Sequence, residues 1–247
     1  ARRVTLPDLD AQVLVRSLTG RAPPGALAVL EDVDSTMDEA ARRARAGAPD
    51  GTVVIADHQT AGRGRLGRQW LAPPGTALLL TVLLRPALAP DRLHELPMAM
   101  ALGALEAVRS ALPAGAPAAA LKWPNDLLVG GEKLGGILAE SQLTAGGPDW
   151  LAIGLGLNVH QTARQLPPEA TSLRLLGAPV RRDALAAAVL DAFGDLHDQA
   201  RSGRSLLALW TANLATLGSR VRAAGALVPH AEGPGLRTRE DWAASGA

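Results

Sequence analysis

An almost entirely apolar segment at residues 76–85, with the sequence TALLLTVLLR, places the strongest constraint on the fold. In an extended conformation its side chains present hydrocarbon on both faces, which is typical of strands buried in the centre of a sheet. Its length falls well short of the roughly 20 apolar residues that a membrane-spanning helix requires. The segment therefore predicts a central strand rather than a membrane anchor.

The remaining pattern predicts helices and strands on both sides of this segment. Strands are expected at residues 27–33, 52–59, 119–129, 132–143 and 150–160, and helices at residues 8–19, 35–47, 92–112, 183–202 and 205–216. Pro124-Asn125 interrupts the strand at 119–129, and Gly130-Gly131 indicates a hairpin. We therefore expect an α+β fold, in which helices pack on a mixed β-sheet and hairpins dominate its second half.

The composition excludes several kinds of chemistry. The chain contains no cysteine, so disulfides, thiolate zinc sites and thiol nucleophiles are excluded. The net charge of +1 provides no global field that would capture nucleic acid or an anionic membrane. The N-terminal sequence ARRVTLPDLD lacks the apolar core of a signal peptide, so we expect a cytoplasmic protein with no membrane partner.

The stretch QTAGRGRLGRQW at residues 59–70 concentrates positive charge on a glycine-rich loop after a predicted strand. Its glycines allow backbone N–H groups to turn toward an anion, and Arg63, Arg65 and Arg68 can add charge-assisted hydrogen bonds to phosphate. Trp70 can supply a flat face for a base or ring. A basic loop that contacts nucleic acid is the alternative, but the position between two apolar strands favours a loop that orders over a phosphate-bearing ligand.

Only two of the 25 basic Lys and Arg residues are lysines, and both lie in motif-like segments. Lys122 begins KWPND, where Asp126 can hold Mg²⁺ beside phosphate oxygens; a surface turn with a weak ion pair is the alternative. Lys133 begins KLGGILAE, where an ammonium above bare glycine backbone suits a carboxylate or acyl phosphate. The alternative for Lys133 is an edge-strand lysine that prevents aggregation.

A further glycine-bearing strand, GLGLNV at residues 154–159, places Gly154, Gly156 and Asn158 on one face. Taken in order, Ser35-Thr36, QTAGRGRLGRQW, KWPND, KLGGILAE and GLGLN resemble the biotin–protein ligase family, from about residue 30 to about residue 220. The resemblance implies a class II synthetase-like catalytic domain of the biotin–lipoate ligase type over residues 1–217. Residues 218–247 are expected to form a shortened, SH3-like β appendage.

The resemblance also implies an activity and a set of residue roles. Biotin would be activated with ATP to biotinyl-5′-AMP and passed to a lysine of a biotin carboxyl carrier domain, with Mg²⁺ as cofactor. The residues expected to contact biotin are Ser35, Thr36, Gln59, Gly62, Arg63, Gly64, Arg65, Lys133, Gly136 and Gly154. Those expected at ATP or the adenylate are Arg63, Arg65, Arg68, Trp70, Lys122, Asn125 and Asn158, with Asp126 at Mg²⁺; Lys133, Arg65 and Lys122 would be catalytic.

The chain departs from the family pattern in three places. Met37 stands where the family often has Asn after Ser-Thr, so a polar contact to biotin is expected to be missing or supplied by backbone. About 25 residues precede the first predicted strand, so we expect no N-terminal helix-turn-helix and no DNA binding. The C-terminal region is shorter than the SH3-like barrel of the family, so the usual docking surface for the carrier is expected to be incomplete.

Two other functions remain open from the sequence. A lipoate–protein ligase would share the fold and the two-step chemistry, and a biotin-sensing or nucleic-acid-binding regulator would use the basic loop differently. The loop at residues 62–69 is expected to be mobile without ligand and ordered with it. A homodimer through a sheet edge and the base that deprotonates the acceptor lysine, either Asp126 or solvent, also stay open.

Overall fold

The computed structural model describes residues 8–20, 25–86, 88–144 and 147–217. The helices are α1 (Ala11–Ser17), α2 (Thr36–Arg45), α3 (Glu95–Ala111), α4 (Arg182–Arg201) and α5 (Leu207–Ala212). The strands are β1 (Leu27–Val33), β2 (Thr52–Gln59), β3 (Ala77–Leu84), β4 (Ala119–Lys122), β5 (Asp126–Val129), β6 (Glu132–Thr144) and β7 (Gly147–Asn158). The β appendage predicted at 218–247 lies outside the described residues.

The strands form one seven-stranded mixed sheet in the order β1-β2-β3-β7-β6-β5-β4. β1 and β2 pair in parallel, and every other neighbouring pair is antiparallel. The second half of the sheet consists of consecutive hairpins from β4 to β7. The predicted α+β fold with a mixed sheet is therefore confirmed, as is the hairpin at Gly130-Gly131, where both residues have positive φ.

Strand β3 lies between β2 and β7, and all eight of its residues are buried. Leu78, Leu80 and Val82 belong to the larger core, which α1, α3 and α4 cover. The alternate residues of β3 face α2, whose Met37, Ala40 and Ala44 pack in a smaller cluster against the sheet. Among the helices that the structure describes, none is both long and apolar enough to cross a membrane.

Helix α2 begins at a well-defined cap beside the sheet. The Ser35 side-chain oxygen accepts a hydrogen bond from the Met37 N–H at 3.2 Å, as an N-cap serine does. Asp34 accepts from the Ser35 N–H, and Arg42 on the next turns pairs with Asp34 at 2.8 Å. This Arg42 pairing, with the Ser35 N–H, lowers the pKa of Asp34 to about 2. The Ser35 cap thus sets where α2 begins, beside strands β2 and β3.

Candidate active site

A cavity of about 260 Å³ lies on the α2 side of the sheet. It is lined by the start of α2, the loop after β2, the turn between β4 and β5, and the middle of β6 and β7. The predicted site residues that line it are Ser35, Thr36, Gln59, Arg63, Gly64, Arg65, Arg68, Trp70, Lys122, Asn125, Asp126, Lys133, Gly136 and Gly154. The structure thus brings segments that are more than 100 residues apart in sequence to one site.

One end of the cavity is a hydrogen-bonded group of polar side chains, in which Thr36 and Thr81 are buried and Gln59 is partly buried. Gln59 Oε1 accepts from the Thr36 N–H at 2.8 Å and from the Thr36 hydroxyl at 2.9 Å. The Thr81 hydroxyl donates to Thr36 Oγ1 at 2.9 Å from within strand β3. Sequence reasoning missed Thr81, although a threonine inside an otherwise apolar strand was a visible signal.

Three glycines, Gly136, Gly154 and Gly156, form the floor of the cavity. A Cβ on Gly154 would lie 2.8 Å from Met37 Sδ, and a Cβ on Gly156 would lie 2.7 Å from Trp70 Cε2. A Cβ on Gly136 would meet only ordinary contacts, the nearest at 3.6 Å. The first two glycines therefore make room for protein side chains, whereas Gly136 leaves open space in the cavity. Met37 occupies the floor with its thioether.

Lys133 reaches the cavity because of a bulge in strand β6. Leu127 pairs with Gly135 but Leu128 pairs with Lys133, so Leu134 is an extra residue in β6. Leu134 is fully buried in the larger core, and the bulge brings Lys133 to the same face as Gly136. Since β6 lies between β5 and β7, the alternative of an edge-strand lysine is wrong.

The Lys133 ammonium forms an ion pair with Asp126, with 2.6 Å between Nζ and Oδ1. Its backbone is also held, because its N–H donates to Glu169 O and its carbonyl accepts from the Thr171 N–H. Lys122 lies directly opposite Asp126 in the β4–β5 pairing. The sequence placed a lysine near Asp126 correctly, but the lysine that pairs with this carboxylate is Lys133 rather than Lys122.

The turn between β4 and β5 is tied to β6 by Asn125. The Asn125 side-chain amide donates to the backbone carbonyl of Ile137 at 3.0 Å. The backbone carbonyl of Asn125 accepts from the Ile137 N–H at 2.9 Å. Trp123, in the same turn, lines the cavity and is 63% exposed. Asn125 therefore fixes the turn, and Trp123 forms part of the cavity mouth.

The arginine–glycine loop, residues 62–70, folds back on itself over the cavity. Arg63 and Gln69 form a bridge, and the Trp70 N–H donates to Gly62 O at 2.9 Å. The Arg63 guanidinium lies between two carboxylates, with Nη2 2.9 Å from Asp38 Oδ1 and 2.8 Å from Glu140 Oε2. Arg63 thus tethers the loop to α2 and β6, which the sequence did not indicate.

The Trp70 indole closes one side of the cavity. It packs against Gly156, and the Lys133 ammonium lies 6.0 Å from the ring centroid, within cation–π range. The indole Nε1 is buried and has no hydrogen-bond partner among the described residues. A buried N–H without a partner carries a free-energy cost that a ligand acceptor would relieve.

Two residues of the predicted set do not line the cavity. Gly62 lies behind Gln59, where a Cβ would come within 2.7 Å of Gln59 Nε2. Asn158 is buried, its amide donates to Thr171 O at 3.0 Å, and its oxygen accepts from Gln161 at 3.1 Å. In this structure both residues support neighbouring segments instead of facing the cavity.

The lining of the cavity carries more positive than negative side chains. Its lining includes the cations Arg63, Arg65, Arg68, Lys122 and Lys133, and Asp126 is the only carboxylate among the described lining residues. The described residues contain no group of three or more His, Cys, Asp or Glu side chains that could hold a metal ion. The arrangement is suited to an anionic ligand that bears phosphate or carboxylate groups.

Comparison with known proteins agrees with this geometry. Residues 29–158 match the family described as the biotin/lipoate A/B protein ligase family. The chain belongs to this family. The matched range contains the cap of α2, the arginine–glycine loop, both lysines and the three glycines of the cavity floor.

Individual members of the biotin/lipoate A/B protein ligase family resemble the chain over most of its length. It is 38% identical to a biotin–[acetyl-CoA-carboxylase] ligase of Mycobacterium tuberculosis, over 87% of this chain and 81% of that protein. The biotin protein ligase of Aquifex aeolicus in complex with biotin and ATP has a TM-score of 0.64 at 30% identity, covering 78% of this chain and 80% of that one. The Leishmania major enzyme in complex with biotinyl-5-AMP has the same TM-score and identity, covering 85% and 88%.

Proposed function

We propose that this chain activates biotin with ATP to biotinyl-5′-AMP and transfers the biotinyl group to a lysine of a biotin carboxyl carrier domain. The observation that carries the proposal is one cavity with a hydrogen-bonding end at Ser35 and Gln59, and a cationic end around Lys133. Such a cavity suits a ligand with a polar ring at one end and an anion at the other. The named relatives, and the complexes with biotin, ATP and biotinyl-5-AMP, support the same activity.

The first step joins two anions, so the residues serve mainly to position them and to neutralise charge. The biotin carboxylate attacks the α-phosphorus of ATP, an O–P bond forms, and pyrophosphate leaves with the electron pair of the broken bond. Lys133 would contact the carboxylate and then the acyl phosphate, with Arg65 and Lys122 on the phosphate oxygens. Asp126, 2.6 Å from the Lys133 ammonium, orients it for this task.

In the second step a neutral lysine amine of the carrier attacks the acyl carbon, an amide bond forms, and AMP leaves. The cations that neutralise the adenylate phosphate also stabilise AMP as the leaving group. The amine loses its proton either to Asp126 or to solvent. No side-chain nucleophile is required, which agrees with a chain that lacks cysteine.

The cavity offers one carboxylate, Asp126, that could bind Mg²⁺. Asp126 offers a single carboxylate, and Mg²⁺ is commonly bound through one or two carboxylates together with substrate phosphates. Asp126 would therefore hold Mg²⁺ that arrives with ATP, and the metal would supply neutralisation of phosphate charge. The adenine would stack near Trp70, whose buried Nε1 has hydrogen-bonding capacity to offer.

A single assay tests the proposal. The protein is incubated with Mg-ATP, a carrier domain and either biotin or lipoate, while pyrophosphate exchange and the mass of the carrier are followed. We expect exchange and carrier mass gain with biotin, and loss of both in Lys133→Ala with the fold retained. Exchange with lipoate alone would assign the chain to lipoate ligation, and exchange with neither acid would contradict both activities.

The partners and the compartment are proposed on the same basis. The carrier domain of a biotin-dependent carboxylase is the proposed protein partner, the cytoplasm the proposed compartment, and DNA binding is not expected. Tight, salt-dependent binding to DNA without adenylation would instead favour a regulator. Sedimentation of the protein at several concentrations decides whether a homodimer forms.

A further inference from the structure

A hydroxyl group is buried in the centre of the sheet without an obvious structural need. Thr81 lies in the middle of β3, has no exposed surface, and is flanked along the strand by Leu80 and Val82. It faces the cavity side, directly opposite Gly154 of β7. A valine would fill the same volume without a polar atom, so the hydroxyl demands an explanation in terms of its partner.

Thr81, Thr36 and Gln59 form a series of hydrogen bonds, and the backbone N–H of Thr36 fixes which group donates in each of them. The Thr36 N–H can only donate, so the Gln59 atom 2.8 Å away has to be the amide oxygen. That oxygen can only accept, so the Thr36 hydroxyl at 2.9 Å donates its single hydrogen to it. Thr36 Oγ1 then has only lone pairs left, and Thr81 donates to it at 2.9 Å.

This chain of hydrogen bonds determines which end of the Gln59 amide faces the ligand. Because Oε1 is taken by two donors from Thr36, Nε2 is the end of the amide that remains to donate. Gln59 lines the cavity, and its Nε2 has no acceptor among the described residues. Gly62, behind Gln59, leaves room for the amide group, since a Cβ there would come within 2.7 Å of Nε2. Ser35, whose oxygen accepts from the Met37 N–H, likewise keeps its hydroxyl hydrogen available.

We infer that Thr81 is a positioning residue that, through Thr36, orients Gln59 as a hydrogen-bond donor, so that this end of the cavity selects a ligand with a carbonyl oxygen. The inference rests on the proposed function, in which that oxygen is the urea oxygen of biotin. Met37, the residue after Thr36, offers a thioether instead of a polar side chain. The hydrogen bonds to the ligand at this end therefore depend on Gln59 and Ser35.

Thr81→Val and Thr81→Ser test the role, because the first removes the hydroxyl at constant volume and the second keeps it. In Thr81→Val we expect the KM for biotin in pyrophosphate exchange to rise about tenfold, as loss of one buried hydrogen bond permits. The KM for ATP and kcat should stay within about twofold of wild type, because the cationic end is unchanged. Thr81→Ser should restore the KM for biotin.

Thr52→Val is the matched control, since Thr52 is also a buried threonine of the sheet, but its hydroxyl donates to Pro49 O, away from the cavity. It should lower the melting temperature without changing the KM for biotin. A double variant with Thr36→Val should raise that KM no further than the larger of the two single changes, since both interrupt one chain of hydrogen bonds. Thr36→Val alone keeps the test usable if Thr81→Val does not fold.

Three results would overturn the positioning role. They are an unchanged KM for biotin in Thr81→Val, no rescue by serine, and equal changes in biotin KM, ATP KM and kcat. Each presupposes a wild-type protein that adenylates biotin. A wild type without that activity would overturn the proposed function, and the two failures are thus distinguishable.

Discussion

Adding a methyl group at two glycines of the cavity floor, Gly136 and Gly156, should have different consequences. An added Cβ at Gly136 meets nothing closer than 3.6 Å, whereas one at Gly156 would lie 2.7–3.1 Å from the Trp70 indole. Gly136→Ala should therefore fold with wild-type stability and intrinsic fluorescence but raise the KM for biotin or ATP about tenfold, by occupying ligand space. Gly156→Ala should displace the indole and shift the tryptophan emission as well.

The pair of variants provides its own control, because the same methyl group is added to the same face of the sheet. Thermal melting, tryptophan emission and steady-state kinetics are measured for both proteins. Wild-type kinetics in Gly136→Ala would mean that the ligand does not approach this glycine. An unchanged emission spectrum in Gly156→Ala would mean that Trp70 is not held against β7.

At the scale of single residues, sequence reasoning succeeded where chemistry alone marks a residue. Lys133 stood out because lysine is rare in this chain, and the floor glycines because they interrupt strands. Thr81 was missed because its significance lies in a partner 45 residues away, which spacing cannot reveal. Asn158 was expected at the nucleotide, but its amide contacts Thr171 and Gln161 in this structure.

At the scale of elements, the arginine–glycine loop is held by a tether that can be removed. Arg63→Gln would abolish both ion pairs, to Asp38 and Glu140. The three side chains are more than a third exposed, so the cost to global stability should stay below about 1 kcal/mol. Amide exchange of residues 62–70 should accelerate, and bound biotinyl-5′-AMP should be released faster.

The double variant Asp38→Asn/Glu140→Gln distinguishes a tether from a direct ligand contact. If Arg63 acts through its two carboxylates, this variant should reproduce the faster exchange and release while it keeps the arginine. If Arg63 acts on phosphate directly, the double variant should behave like wild type. Arg68→Gln, which leaves the tether intact, should not accelerate amide exchange at the base of the loop.

The strands and most helices could be predicted because their apolar periodicity is local. Strands β1 and β2 have the predicted bounds, while α1 is shorter than the predicted helix at 8–19. The bulge at Leu134 could not be predicted, because it depends on how β6 pairs with β5. This non-local detail decides that Lys133 faces the cavity, so the candidate site depends on more than its motifs.

At the scale of the whole molecule, the order of the strands was not predictable, since it depends on pairings between distant segments. A buried arginine helps to hold that arrangement. Arg182 of α4 has no exposed side-chain surface and forms ion pairs with Asp8 at 2.6 Å and with Asp57 of β2 at 2.7 Å. It also donates to Ala77 O of β3. One side chain thus joins the N-terminal segment, two strands and a helix.

Arg182→Met should destabilise the protein by about 3–5 kcal/mol, because its removal leaves the buried Asp57 without its ion-pair partner and the partly buried Asp8 with only the His160 side chain. Urea denaturation measures the difference. Arg43→Met removes an arginine that pairs with Glu39 near the surface and should cost less than about 1 kcal/mol. Equal effects of the two substitutions would show that the buried ion pairs do not hold the sheet to α4.

The pH dependence of stability should reflect His197 of α4, which is buried and stacks on Phe193. Burial lowers the pKa of His197, and Arg201 lowers it further, against the opposing influence of Asp50 and Asp198. The unfolded chain therefore binds a proton at higher pH than the folded protein does. Stability from this group is complete above the unfolded pKa of about 6.5 and is lost as the pH falls through it toward the folded value.

Melting temperatures of wild type and His197→Gln, measured between pH 8 and pH 5 (roughly the range in which histidine titrates), test this prediction. Below about pH 6.5, wild-type stability should fall more steeply than that of the variant, by at most about 1.4 kcal/mol per pH unit. The two proteins differ at this residue alone, so the comparison isolates the effect of His197. Parallel curves would mean that His197 is protonated equally in the folded and unfolded states.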